Sequence, residues 1–275
     1  MNIYVVILNW NGKDDTLACL ASLKEVSTPH QVVVVDNGSI DGSPQAFSKK
    51  FPHVHLIETG KNLGYAEGNN VGIRYALKHK ADAIFILNND TIVTKDILEK
   101  FLSRNAPIQG GKALLMEDPF KIDHLGGNWN GKTGRFELVG ANAPSKEWAK
   151  PITMDYVCGV ALFVHAHVFK AVGLFDPRFF LFWEECDWCF RAKQQGFSPQ
   201  VCPEAILFHK KSASFTGGKP HTTYFWWRNR LLWIKKNCPK ENLTSIKKEI
   251  FRDYLHTLKI FILKSLQYPF AKKTY

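Results

Sequence analysis

Blocks of apolar and polar residues alternate along the first third of the chain. The apolar run Ile3-Tyr4-Val5-Val6-Ile7-Leu8 ends at Asn9-Trp10-Asn11-Gly12. A run without polar interruption predicts a strand buried on both faces, as in a parallel sheet. Residues 15–23 then place Leu17, Leu20 and Leu23 on one helical face. A second run, Val32 through Val35, stops at Asp36-Asn37-Gly38-Ser39, and a third short strand is predicted over 54–57. A helix is predicted from Asn62-Leu63-Gly64-Tyr65 through Leu77, and the run 83–87 ends at Asn88-Asn89-Asp90. This alternation predicts an α/β fold with a doubly wound, mostly parallel sheet flanked by helices. Ligands of such sheets bind beyond the carboxyl ends of the strands. One polar strand end is ordinary turn chemistry, but three on one sheet edge predict a site.

The later pattern is less regular. Residues 107–151 read as mixed loop and strand, 155–164 as a strand and 169–175 as a short helix. The apolar run Phe179-Phe180-Leu181-Phe182-Trp183 leads into Glu184-Glu185-Cys186-Asp187, with helix expected over 186–191, and another helix begins at Tyr224. No internal repeat or low-complexity tract is visible.

Composition adds bounds. The 275 residues are 45% hydrophobic, which excludes disorder and allows one large α/β domain or two small ones. The formal charge is +11, but residues 235–275 carry ten Lys/Arg against three Asp/Glu and so hold +7 of it. The basic character belongs mainly to a tail, so nucleic acid is not the expected partner. In that tail Ile250, Tyr254, Leu258 and Ile262 recur every fourth residue beside Phe251, Leu255 and Phe261, with Lys247, Lys248, Arg252, Lys259 and Lys264 elsewhere. An amphipathic helix lying on an anionic inner leaflet is expected; the alternative is a terminal helix docked on the domain or on a dimer partner. The N-terminus has no basic segment or cleavage site of a secretory signal, and no run approaches a membrane span, so a cytoplasmic, peripherally membrane-bound protein is expected. The six cysteines are then expected as thiols. The spacing of Cys186, Cys189, Cys202 and His209 also permits a zinc site, which with Trp226, Trp227, Arg228 and Arg230 would suit a nucleic-acid binder.

Neither GxGxxG after the first strand nor GxxxxGK[ST] occurs, which removes the common dinucleotide and P-loop readings. Asp36 can accept from a base imide or a ribose hydroxyl, or simply close a turn. Asn88-Asn89-Asp90 offers hard oxygen ligands for Mg²⁺ or Mn²⁺ on a diphosphate, with His209 as a partner, or else an Asx-turn. Glu184, Glu185 and Asp187 beside an apolar wall suit a general base whose pKa is raised by desolvation, or an acidic first helical turn. The two glycines of Gly64-Tyr65-Ala66-Glu67-Gly68-Asn69-Asn70 suit close backbone approach to a ligand, or a tightly packed helix start.

Eight segments in order, NWNG (9–12), VVVDNGSIDGS (33–43), NLGYAEGNNVGIRYAL (62–77), LNND (87–90), DYVCGVALFV (155–164), GLFDPRFFLFWEECDWCFRAKQQGF (173–197), FHKKSAS (208–214) and RNRLLW (228–233), resemble family 2 glycosyltransferases, in particular the rhamnosyltransferase-like bacterial enzymes of surface-polysaccharide synthesis. The resemblance spans residues 3 to 236. It implies a GT-A fold over 1–236, with a nucleotide-sugar half (1–105), an acceptor half (106–236) and a separate basic helical tail (237–275). It also implies inverting, metal-dependent transfer from a nucleotide sugar, dTDP-rhamnose or a UDP-sugar, to a saccharide or lipid-linked acceptor. Asn9 and Asp36 would contact the nucleoside, Asp90 would bind the metal with His209, and Glu185 falls at the position of the catalytic base. The family's Glu-Asp pair is Glu184-Glu185 here, which leaves Glu185 and Asp187 both as proton acceptors. Asn11, Asn37, Ser39, Asn62, Gly64, Asn70, Asn88, Asn89, Trp183 and Arg228 complete the expected substrate contacts. A non-catalytic nucleotide-sugar binder is the alternative.

Overall fold

Strands form where both faces can be buried, and the first is β1 (Ile3–Asn9). Its even residues Tyr4 and Val6 enter one apolar core, while Ile3, Val5 and Ile7 enter another on the opposite face. The protein is described by a computed structural model covering residues 1–104, 106–210, 220–239 and 243–267, with side chains to residue 259. After β1 come α1 (Lys13–Lys24), β2 (Gln31–Asp36), α2 (Ser43–Lys50), β3 (His55–Glu58), α3 (Gly64–Lys78) and β4 (Ala83–Asn88). Next are β5 (Thr91–Val93), α4 (Ile97–Arg104), β6 (Ile108–Leu115), β7 (Gly126–Asn130), β8 (Arg135–Val139), β9 (Ile152–Thr153), β10 (Tyr156–Val157) and β11 (Ala161–His165). The chain closes with α5 (Ala166–Val172), α6 (Glu184–Gln194), β12 (Gln200–His209), α7 (Pro220–Asn237) and α8 (Leu243–Gln267).

The main sheet runs β3-β2-β1-β4-β11-β6-β12-β5, with β9 added on β12. The four strands β3-β2-β1-β4 are parallel, as the apolar runs predict. β11 is antiparallel to both neighbours, and β5 is antiparallel to β12. The expected halves therefore share one sheet, because β5 from the first half pairs with β12 from the second. A small antiparallel sheet, β10-β7-β8, stands apart.

Register aligns the polar strand ends. Asn9 lies opposite Asp36, and Leu8 opposite Asn88, so the ends of β1, β2 and β4 meet within one residue of each other. At the other side β12 ends with His209 opposite Thr91, directly after Asp90.

Several expectations need correction. The single strand expected over 155–164 is two strands, β10 and β11, broken at Cys158–Val160, and the helix expected over 169–175 is α5, three residues earlier. The loop-and-strand reading of 107–151 hides β6, buried at all eight positions. The run from Phe179 to Trp183 is a set of tight turns, with Phe180, Phe182 and Trp183 at φ of 58°, 68° and 73°. That left-handed region is costly for residues with a side chain.

The third core joins the C-terminal helices to the rest. Trp233 and Ile234 of α7 and Ile246 of α8 pack with Phe179 and Trp183, and Leu243 and Ile250 lie against them. The start of the expected basic tail is thus docked on the domain, the alternative given for it above. Further along α8, Phe251, Tyr254, Leu255 and Leu258 are exposed. The side chains of Phe261, Ile262 and Lys264 lie outside the described residues, as do Lys211 to Ser214 of the expected FHKKSAS segment. Among the described residues, no helix is long and apolar enough to cross a membrane.

Candidate active site

The strand ends of β1 and β2 are welded by amide–carboxylate bonds. Asn9 is fully buried, and its Nδ2 donates to Asp36 Oδ1 (2.7 Å) and to Ser39 Oγ (3.0 Å). Its Oδ1 accepts from Thr16 Oγ1 (2.8 Å) and from the Gly12 N–H (3.2 Å). Asp36 Oδ2 accepts the Ser39 N–H at 2.9 Å. Asn9 thus supports Asp36 from beneath rather than facing a ligand, and each Asp36 oxygen retains a lone pair. Asn11, itself at φ 52°, accepts from the Ile40 N–H (2.8 Å) and keeps the 36–41 turn against β1.

Asn37 and Asn62 form the next layer. Asn37 Nδ2 donates to Asn62 Oδ1 (3.0 Å), and Asn37 Oδ1 accepts the Leu63 N–H (2.9 Å), fastening β2 to the entry of α3. Gly64 is needed there for two reasons. Its φ is +82°, and a Cβ would lie 2.5 Å from the Phe180 ring. A close approach at Gly64 is made to the turn before α6. Gly68 likewise packs on Leu8 of β1. Asn70, expected among substrate contacts, is buried and bonded at both ends of its amide to the Phe175 main chain (2.9 and 3.0 Å).

At the end of β4, Asn89 Nδ2 donates to Thr16 Oγ1 (2.9 Å), while Asn88 Oδ1 accepts from the Tyr65 hydroxyl (2.9 Å). Asp90 Oδ1 lies 3.2 Å from His209 Nε2, and His209 Nδ1 lies 2.9 Å from Asp123 Oδ2. Burial works against charge on His209, but the hydrogen bonds to Asp123 and Asp90 prevail and push its pKa up to about 10. A place that holds positive charge this firmly, with a carboxylate oxygen and an imidazole nitrogen 3.2 Å apart, fits two neighbouring ligands of an ion whose bonds are about 2.1 Å long. Among the described residues no group of three or more His, Cys, Asp or Glu surrounds a common point. Mg²⁺-type sites need only one or two protein ligands when substrate phosphates and water supply the others. The zinc spacing does not close: Cys186 and Cys189 pack in one core and Cys202 in the other, across the sheet.

The acidic cluster lies at the N-terminus of α6. Burial raises the pKa of both Glu184 and Glu185; the neighbouring Glu185 raises Glu184 further, while main-chain hydrogen bonds and His124 oppose the rise on Glu185. One oxygen of each, Oε2, is buried without a hydrogen-bond donor. Asp187 differs. It is fully buried, and accepts from Arg191 Nε (3.0 Å), Lys236 Nζ (2.8 Å) and Asn237 Nδ2 (3.2 Å). With its oxygens bound on the α7 side, Asp187 ties helices together and leaves the glutamates facing the sheet edge.

Tyr65 joins the two groups. Its hydroxyl lies 2.9 Å from Asn88 Oδ1 and 3.0 Å from the Gly159 carbonyl, and the missing side chain of Gly159 would stand 3.5 Å from Glu185 Oε1.

Two expected contact residues also bond or pack within the protein. Trp183 is buried with its ring 5.5 Å from that of Phe136 and 6.1 Å from that of Trp226. The Arg228 guanidinium donates to the Arg178 carbonyl (2.7 Å). Arg230 is fully buried, donating to the carbonyls of Gly134 and Thr133 (both 2.8 Å) and to Asp253 (2.9 Å), so it offers nothing to nucleic acid. Three residues were missed. Asn229 Nδ2 sits 2.6–2.8 Å from the carbonyls of Phe179, Leu181 and Phe182, clamping the strained turn before Glu184. Tyr65 and Asp123 carried no local signal beyond lying next to a glycine and a histidine.

This geometry meets an independent finding: residues 4–106 match the family model described as glycosyl transferase family 2. Over those residues the chain is similar to family 2 glycosyltransferases. The chain is 26% identical to dTDP-rhamnosyl transferase RfbF of Shigella flexneri, over 99% of this chain and 92% of that one. It is 27% identical to N-acetylglucosaminyl-diphospho-decaprenol L-rhamnosyltransferase of Mycobacterium tuberculosis, over 78% of this chain and 82% of that one. Among solved structures, GalNAc-T7 with UDP, GalNAc and Mn²⁺ superposes with a TM-score of 0.64 at 14% identity, covering 98% of this chain and 58% of that one. The chain has the GT-A fold.

Proposed function

We propose that the chain is an inverting glycosyltransferase that moves a sugar from a nucleotide-diphosphate donor to a hydroxyl of a saccharide or lipid-linked saccharide. The observation that carries this reading is the convergence at one sheet edge of the Asp90–His209 pair and the Glu184–Glu185 pair, joined through Tyr65 and Gly159. Asp36, held by Asn9 and Ser39, keeps a lone pair on each oxygen and would accept from the nucleoside. Asp90 and His209 would hold a divalent cation, Mg²⁺ or Mn²⁺, which when bound offsets charge on the leaving diphosphate.

Glu185 takes the proton of the acceptor hydroxyl as general base. The acceptor oxygen forms the new bond to the anomeric carbon, the bond to the diphosphate breaks on the opposite side, and the nucleoside diphosphate leaves with that electron pair. Burial raises both carboxyls, and the neighbouring Glu185 raises Glu184 further, so Glu185 is the member of the pair that gives up its proton first. The relatives support dTDP-rhamnose as the first donor to test and a UDP-sugar as the second. A panel of nucleotide sugars with Mg²⁺ or Mn²⁺, read by nucleoside diphosphate release, tests the reading. Release with none of them in the presence of a saccharide acceptor defeats it and favours a binding protein.

The mycobacterial relative is named for a decaprenol-linked substrate. In this chain Phe251, Tyr254, Leu255 and Leu258 are exposed on α8 beside the exposed Lys247, Lys248 and Arg252. We assign this part of the tail to the anionic inner face of the cytoplasmic membrane, where such an acceptor would lie. Replacing Phe251, Leu255 and Leu258 with Ser is expected to abolish co-sedimentation with phosphatidylglycerol vesicles; unchanged binding refutes the assignment.

A further inference from the structure

The loop between β6 and β7 places one carboxylate where the proposed mechanism has no use for it. Asp123 is held there by its own main chain, whose N–H donates to the Ala113 carbonyl at 2.9 Å. The preceding residue Ile122 bridges to Leu114 of β6. The side chain is mostly buried, and its Oδ2 lies 2.9 Å from His209 Nδ1. The other nitrogen of the same ring, Nε2, faces Asp90 Oδ1 at 3.2 Å. A second imidazole, His124, stands 3.7 Å from the same Oδ2.

We propose that Asp123 is a positioning residue: by accepting the Nδ1–H of His209 it fixes the ring's rotation, so that when a cation takes the place of the Nε2 proton the Nε2 lone pair is presented beside Asp90. A neutral imidazole has one N–H and one lone pair, and the partner of one nitrogen decides what the other can do. His209 ends a strand, so its main chain is set by the pairing of β12 with β5 and β6, but that pairing leaves the ring free to turn about its last torsion. Asp123 supplies the missing constraint. It also makes the ring a stronger donor to a cation, the usual effect of a carboxylate behind a ligating histidine.

The inference rests on the reading of Asp90 and His209 as cation ligands. Its test therefore measures Mn²⁺ bound directly to the full-length chain, by the electron paramagnetic resonance of free Mn²⁺, without nucleotide or turnover. Asp123→Ala is expected to weaken Mn²⁺ binding about 10- to 100-fold. In a His209→Ala background the same substitution is expected to change nothing further, because its effect passes through the histidine. Asp123→Asn keeps the shape and an acceptor oxygen but not the charge, and is expected to fall between; it carries the measurement if the alanine variant fails to fold. Mn²⁺ affinity within twofold of wild type in the folded variant, with His209→Ala clearly weakened, overturns the positioning role alone. An equal loss in both backgrounds also overturns it. Wild-type protein that binds no Mn²⁺, or binds it equally after His209→Ala, overturns the cation site and this inference together.

Discussion

The two sides of the site are built by different physics. On the proposed donor side, Asn9, Asp36 and Asn88 lie where parallel strands of matched register end, so the sheet itself places them. On the proposed base side, Glu185 follows a turn with three residues carrying side chains in the left-handed region, and nothing local favours that shape. It persists because distant groups hold it: the Asn229 amide under three carbonyls, the Tyr65 N–H on the Phe180 carbonyl, and Asp187 tied to Lys236 and Asn237. A register is robust to single changes. A clamped turn is not, and substitution should separate the two.

The largest contrast is expected between Glu185→Gln and Asp90→Ala. The first should lower kcat about 10²- to 10⁴-fold, the range for removing a general base, with Mn²⁺ affinity intact. The second should weaken Mn²⁺ binding as well as turnover. Steady-state kinetics beside direct Mn²⁺ titration distinguish them, and a Glu185→Gln enzyme with near-normal kcat removes Glu185 from the mechanism. Next comes Asn229→Ala, which leaves three buried carbonyls without their donor and should cost about 1–3 kcal/mol in urea unfolding. Because the clamp holds only the base-side turn, kcat should fall while donor binding stays within about twofold of wild type. An equal loss of both would show that the two sides are not separable. Gly64→Ala brings a Cβ against Phe180 at a φ of +82°. It should cost about 1–2 kcal/mol from the backbone, more if the ring cannot yield, and thermal unfolding reads it.

The smallest effect concerns pH. The Asp176 carboxyl is held well below its ordinary range, first by the hydrogen bond from Arg178, against the cost of burial, and then by Lys236. Its folded pKa is depressed, so its contribution to stability is complete above the unfolded value near about 3.9. That contribution shrinks as the pH falls below this value, and is gone once the pH is below the folded one. Asp176→Asn should therefore flatten the loss of stability below pH ~4 without changing donor binding. An unchanged acid slope would mean that the pairing does not act on folding.

The same contrast governs how much could be read from the chain alone. β1, β2 and β4 were legible because burial on both faces leaves an unbroken apolar run, and their polar ends were legible because each is contiguous in sequence. β6 was hidden because its middle is Gln109-Gly110-Gly111-Lys112; Gly110 and Gly111 make room for Val157 and Leu207, so the strand is buried without being apolar. The expected strand over 155–164 breaks at Gly159, where Tyr65 and Glu185 converge. Both Glu185 and Asp187 were credible bases from composition; only the packing of α7 against α6 takes up Asp187. Asp123 meets its histidine 86 residues away, and Asn229 its carbonyls 47 to 50 residues away, spacings that no local pattern encodes.

Arg230 has a mechanical consequence. Its guanidinium bolts α7 at once to the β7–β8 turn, through Thr133 and Gly134, and to Asp253 of α8. Helix α8 therefore leaves the body at a set angle instead of swinging as a tether. If it rests on a surface, the height of Glu185 above that surface is a constant of the molecule, and an acceptor must bring its hydroxyl to that height. Chain length between anchor and reacting group would then select the acceptor as a gauge block selects a gap.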